Sequence, residues 1–326
     1  MLSRVANAIY WMNRSVERAE NYARFIDVNL NLTLDLPHGT AEQWEPLVTT
    51  TGDHELFNQR YGKPTRENVV QFLAADAANP NSVLSCLTAA RENARSVREI
   101  ISSEMWEQVN RFYLMVKEAV TAGWFSQDPY RFFTEVKQAS HLLSGITDAT
   151  MSHGEGWHFG RLGRLLERAD KTSRILDVKY FILLPHVSDV DTPFDNIQWS
   201  ALLKSASALE MYRKQYGRIA PNLVADFLIL NPAFPRAIRY CVIKAEDSLR
   251  AISGSDGATA RTQPEKKVGR LRAELEYTDI DEIRAGGLHE FLDSLQAELN
   301  GIDDAIHDTF FALRPVQGAT HKGEVQ

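Results

Sequence analysis

The placement of proline does most to limit what this chain of 326 residues can fold into, because its twelve prolines leave long gaps. Proline lacks a backbone donor and its ring clashes with the preceding turn, so helix interiors exclude it. Proline-free stretches run over 81–128, 130–184, 194–220, 236–263 and 265–314. They are rich in Ala, Leu, Glu, Arg and Lys, which lose little freedom in a helix. In the first segment Val5, Ile9, Met12, Val16, Ala19, Ala23, Ile26 and Leu30 recur at three- and four-residue steps. That spacing is the apolar stripe of one long helix over 2–35. Similar patterns predict helices over 82–102, 104–121, 130–151, 158–184, 236–252 and 288–312. Breaks fall at Leu36–Pro46, Gly123–Pro129, Pro185–Pro193, Gly254–Pro264 and Gly286–Gly287. Asp191 to Asp195 reads as a loop ending in a helix cap, and 314–326 as a mobile tail. Period-two alternation is hard to find. The fold class is all-α, and helix bundles are the natural way to pack such elements.

Composition narrows the function. A hydrophobic content of 44% is enough for a core, which excludes wholesale disorder. The net charge of -7 argues against a nucleic-acid binder driven by a basic surface. Uninterrupted apolar runs such as Phe181–Leu184 are too short to span a membrane. Asn13, Arg14 and Glu17 interrupt the stretch where a signal peptide needs continuous apolar residues. Two cysteines, Cys86 and Cys241, cannot form a disulfide framework. The expectation is a cytoplasmic protein with neither a nucleic acid nor a membrane as partner.

The chain also repeats itself. RSVERAENYARFIDV (14–28) aligns without a gap on RLLERADKTSRILDV (164–178). Arg14, Glu17, Arg18, Ala19, Arg24, Asp27 and Val28 recur as Arg164, Glu167, Arg168, Ala169, Arg174, Asp177 and Val178, while Glu20 becomes Asp170. Further along, Tyr61-Gly62-Lys63 matches Tyr216-Gly217-Arg218, and Pro80, Cys86, Ala90 and Arg95 match Pro235, Cys241, Ala245 and Arg250. Glu92 matches Asp247, and Leu143, Gly145, Ile146, Asp148 and Ala149 match Leu299, Gly301, Ile302, Asp304 and Ala305. The reading is an internal duplication, with helical repeats over 1–152 and 153–313 and a pseudo-two-fold relation. The paired cysteines then read as small buried hydrophobes.

On the first helix Glu17, Glu20, Arg24 and Asp27 form a charged stripe beside the apolar one, repeated as Glu167, Asp170, Arg174 and Asp177. A solvated face held by pairs such as Glu20 with Arg24 would account for it. Solvent-facing positions, however, should differ between the copies, as Asn21/Lys171 and Tyr22/Thr172 do, whereas the stripe keeps its charges. That favours a structural network or a site. Glu17, Glu20, Glu167 and Asp170 are the candidate acid–base groups, and Arg14, Arg18, Arg24, Glu92, Arg95, Arg164, Arg168 and Arg174 the candidate ligand-binding groups. Arg250 could join the same arginines on a phosphate, an acyl phosphate or a peptide carboxylate. Stripes facing one cleft would favour a site, and stripes sealed within separate bundles a scaffold.

Other chemistries find less support. Glu155–His158 is a Glu-x-x-His, but the first copy lacks one and the many arginines would repel a metal, so no metal is expected. G-x-x-x-x-G-K-[ST], G-x-G-x-x-G after a strand and G-x-S-x-G are all missing, and no cofactor is expected. His153 and His158 read as surface residues. Ser102 or Ser103 reads as a helix cap, Trp106 as a core anchor, and Trp157 as packing a junction or walling a pocket.

YWMNRSVERAEN (10–21), ARENARSVREIISSEMWEQVN (90–110), EGWHFGRLGRLLERADKTSRILDVKY (155–180) and GRLRAELEY (269–277) together resemble the bacterial alpha-E domain proteins. The resemblance covers nearly the whole chain. It implies an all-helical fold and an association with a circularly permuted ATP-grasp protein and often a transglutaminase-like protein. It also implies a peptide- or amide-forming modification system acting on a peptide or amino-acid substrate. The family's marked glutamates would be Glu17, Glu20 and Glu167, with Asp170 in the last acidic place, while His153 and His158 stand where the family more often carries Arg. An ATP-grasp partner would bind the nucleotide, in keeping with the missing phosphate loops.

Overall fold

The computed structural model describes residues 1–34, 43–182, 193–255 and 259–312. Among them there is no strand. The first half holds α1 (Ser3–Leu34), α2 (Glu45–Thr51), α3 (His54–Arg60), α4 (Arg66–Ala74), α5 (Val83–Ser96), α6 (Ser103–Thr121), α7 (Trp124–Gln127) and α8 (Pro129–Thr150). The second holds α9 (Glu155–Ile182), α10 (Pro193–Ser205), α11 (Leu209–Tyr216), α12 (Pro221–Leu230), α13 (Ile238–Ser253), α14 (Gln263–Tyr277), α15 (Ile280–Gly286) and α16 (Leu288–Ile306). A π-helical turn, His307–Phe311, follows α16.

The long elements fall where periodicity predicts them, and local chemistry sets their ends. Ser102 accepts a hydrogen bond from the Met105 amide at 3.1 Å and caps α6. Asp128 caps α8, with Pro129 at the first helical position, where a missing N–H costs nothing. Ser82 caps α5, which ends at Ser96 rather than at 102 as the sequence pattern predicts. The predicted 314–326 tail and most of the 185–193 break lie outside the described residues.

One packing scheme occurs twice. α5 and α8 lie on α1 with α6 packed against both, while α13 and α16 lie on α9 with α14 packed against both. These two four-helix groups meet where α1 packs along α9. The short helices cross over: α2 lies on α9, and α10 lies on α1. Buried side chains of both halves therefore form one continuous core, with Ile9, Ile26, Leu30, Leu162 and Leu176 wholly inaccessible along the two central helices. Each such side chain contributes about 1.5–3 kcal/mol by leaving water. Local details recur as well. Gly62 and Gly217 both have positive φ, at 71° and 74°. Tyr61 and Tyr216 each set an aromatic ring edge-on to a phenylalanine, Phe72 and Phe227.

Glycine lets the central helices approach. A Cβ at Gly163 would stand 2.5 Å from the Tyr10 carbonyl oxygen, and one at Gly160 would stand 2.7 Å from Asn13 Nδ2. The first obstacle is backbone and cannot swing aside.

Candidate functional site

The close approach of α1 and α9 brings the two charged stripes face to face, in neither arrangement the sequence offers. Their four acidic side chains are buried rather than set around an open cleft, and neither stripe is sealed within its own bundle. Each satisfies the other across the helix contact. The Arg18 fork grips both oxygens of Glu167, Nε to Oε1 at 2.6 Å and Nη2 to Oε2 at 2.9 Å. Reciprocally, Arg168 grips both oxygens of Glu17, at 2.8 Å from Nε and 2.8 Å from Nη2. Bidentate guanidinium–carboxylate pairs are among the stronger charge-assisted contacts, and their geometry fixes helix register.

Around each fork the environment differs. Glu167, with no accessible side-chain surface, also accepts from Arg14 Nε at 3.0 Å and pairs with Lys171 at 3.5 Å. Arg14 in turn reaches Asp303 of α16 at 2.6 Å, and Tyr10 donates to that carboxylate at 2.5 Å. Glu17 additionally receives Arg236 Nη1 at 3.2 Å and Asn21 Nδ2 at 3.2 Å. Glu20 binds Arg236 Nη2, Arg24 Nη2 at 2.5 Å, Ser140 Oγ at 2.9 Å and His141 Nε2 at 3.2 Å. Asp170 holds Lys171 at 2.8 Å and Arg174 at 2.9 Å. The expected i,i+4 pairs Glu20–Arg24 and Asp170–Arg174 thus form within this larger network. The stripe ends are clamped separately, Asp27 by Lys137 of α8 at 2.6 Å and Asp177 by His289 of α16 at 2.7 Å.

Burial alone would push these carboxyls up, but the cations outweigh it. Arg168 and Arg236 hold Glu17 below its ordinary range. Arg236, the His141 hydrogen bond and Arg24 hold Glu20 well below. Arg18, Lys171 and Arg14 do the same for Glu167, and Lys171 and Arg174 hold Asp170 below its ordinary range. All four are carboxylates at neutral pH and cannot serve as general acids.

Several positions differ from the sequence reading. Glu92 and Arg95 do not join the network. They pair with each other at 2.8 Å on the solvent side of α5, whose buried face is carried by Cys86, Ala90 and Ala94. Arg250 pairs instead with Glu246 at 2.7 Å. Asn21, Tyr22, Lys171 and Thr172, read as solvent-facing because they differ between the copies, are all buried. They differ because their partners differ: Asn21 accepts from Arg236 at 3.0 Å, whereas Lys171 pairs with Glu167 and Asp170.

Arg236, Lys171, Ser140, His141 and Asp303 were missed. For Arg236 a signal existed, since it follows Pro235 as Asn81 follows Pro80, and Asn81 accepts from Arg18 at 2.6 Å. Both cysteines are buried, their thiols donate to the carbonyls of Asn81 and Pro235, and burial pushes each up to about 12. Neither is a thiolate nucleophile at neutral pH. Glu155 receives the N-terminal ammonium at 2.6 Å, and His153 stacks on Trp157 at 4.1 Å. Trp106 is half-buried, with the Arg98 guanidinium 4.7 Å from its ring centre. No group of three or more metal-ligating side chains gathers among the described residues, and no helix among them is long and apolar enough to cross a membrane.

The Glu-Arg dipeptide occurs twice in the chain, at 17–18 and 167–168, and these are the residues that exchange forks across the α1–α9 contact. A family model described as a predicted alpha-helical domain with a conserved ER motif matches residues 1–311. The chain belongs to the Alpha-E family. An uncharacterized protein of Mycobacterium bovis is 23% identical over 95% of the chain, and one of Mycobacterium tuberculosis is 22% identical over the same share. The Alpha-E chain spans only 37% of the length of these relatives. No solved structure matches it.

Proposed function

We propose that this Alpha-E chain is a cytoplasmic helical component of an ATP-grasp-linked peptide- or amide-ligation or peptide-modification system. It binds no nucleotide itself. It holds the partner enzyme, the peptide or an acyl-phosphate product at the margins of its Glu/Arg seam. A transglutaminase-like protein belongs to the same system. The observation that carries this reading is the seam's chemistry. Glu17, Glu20, Glu167 and Asp170 are buried, ion-paired and held ionised, which suits bracing and recognition better than proton transfer. The relatives, which this chain matches over only 37% of their length, support a module that works beside other polypeptide.

The test is co-purification with the ATP-grasp protein, then incubation with ATP and candidate amino acids and mass spectrometry of the products. The expected result is a stable complex and a product that depends on the Alpha-E chain. No association and an unchanged product would overturn the reading. If Glu17→Gln or Glu167→Gln keeps its circular dichroism and partner binding but loses the product, the chain is itself an enzyme.

A further inference from the structure

Arg164 stands apart from every other arginine of the two stripes. Among the described residues it makes no hydrogen bond or ion pair, and its Nε is buried without a partner although the residue is partly exposed. Arginine does not lose its proton in a protein, so the charge persists. The charged groups acting on it are Arg168, Glu17, Arg161 and Asp148. Glu17 is engaged by Arg168 and Arg236, and the exposed Asp148 lies 3.7 Å from His153 and forms no ion pair with Arg164. Arg161, one turn before it, faces the ring of Trp157 at 5.2 Å and brings no carboxylate.

The equivalent arginine shows what is missing. Arg14 binds the opposing glutamate and also Asp303 of α16, with Tyr10 completing the cradle. In the second half Gly160 stands where Tyr10 does, four residues before the arginine. Thr147 of α8 stands where Asp303 does, by the alignment of Asp148 with Asp304. The Thr147 hydroxyl is turned onto the Leu143 carbonyl at 2.8 Å and offers Arg164 nothing. The Glu17 end thus gathers Arg24, Arg164, Arg168 and Arg236 around two carboxylates, Glu17 and Glu20. A guanidinium left without a counter-charge in a partly desolvated place is unfavourable, and an incoming anion relieves it.

We infer that Arg164 binds a carboxylate of a peptide, in the role that Asp303 plays for Arg14. This names the ligand class at one margin of the seam and so rests on the proposed binding reading. A carboxylate is favoured over a phosphate because the sister position accepts one, and because a single negative charge balances the one unpaired cation beside Glu17 and Asp148.

The test follows the Arg164 side-chain Nε–H signal by NMR in the intact protein. Acetyl-alanine supplies a chain-terminal carboxylate and acetyl-glutamate amide a side-chain one. Saturable movement of the Arg164 signal with either, the Arg14 signal staying fixed, is the expected result, and the stronger probe identifies the source. Arg164→Gln should weaken that probe about tenfold or more, read on neighbouring backbone signals. Equal movement with sodium chloride at matched ionic strength would overturn the inference, as would stronger binding of inorganic phosphate. Probe binding undiminished in Arg164→Gln would do the same. None of these measurements involves the ATP-grasp partner, so this inference and the proposed pathway fail separately.

Discussion

The two ends of the α1–α9 seam carry the same Glu-Arg exchange in different surroundings. At the Glu167 end, Arg14, Arg18, Lys171 and Arg174 meet three carboxylates, Glu167, Asp170 and Asp303. At the Glu17 end four guanidinium groups meet two, and one of the four, Arg164, forms no ion pair among the described residues. A repeated motif can thus be completed by the chain at one place and left short of a counter-charge at the other. The difference lies in residues around the motif, Asp303 against Thr147 and Tyr10 against Gly160, rather than in the motif itself.

The forks should be the costliest part to break. Glu167→Gln and Glu17→Gln each leave buried cations uncompensated and should lose about 3–5 kcal/mol in denaturant unfolding. The carboxyls of both are held below their unfolded values, so their stabilisation is fully present above about pH 4.5 and fades as pH falls through the folded values. Denaturation midpoints followed against pH should fall on acidification, and Glu167→Gln should flatten that fall. Arg14→Met should cost about 3 kcal/mol, whereas Arg164→Met should be neutral or stabilising in the absence of ligand. Equal losses from the two would erase the contrast between the ends. Gly163→Ala pushes a methyl into the Tyr10 carbonyl and should cost about 1–3 kcal/mol. Glu92→Ala, which breaks only an exposed pair on α5, should stay within about 0.5 kcal/mol. A larger effect there would tie α5 to the seam.

Much of the fold was legible because long helices carry their own signal. Proline gaps and the three–four spacing placed α1, α6, α8, α9, α13 and α16 within a few residues. Helices of seven to ten residues, such as α2, α4 and α12, escaped because prolines fall among them and their few turns make little periodicity. The seam was half legible. The retained charges of Glu17, Arg18, Glu167 and Arg168 marked it, but a stripe on one helix does not say which helix it faces. Glu92 and Arg95 share the same residue types, yet α5 turns them away from the core. The differences at Asn21/Lys171 and Tyr22/Thr172 misled for a physical reason: a buried position can vary when its partner varies with it.

The exchange of forks has a consequence for how the chain reaches its final form. Glu17 finds its counter-charges on Arg168 and Arg236 and Arg18 finds its own on Glu167, all in the second half of the chain, while Arg168 finds its own on Glu17 in the first. While the first half is being synthesised, the face of α1 that will meet α9 therefore offers water a row of ions among its apolar residues, a poor surface for sticking to strangers. Only the arrival of the matching row releases that water. If 1–152 and 153–313 are expressed as separate polypeptides, each should remain the other's preferred partner, and a charge reversal in one should be rescued by the opposite reversal in the other.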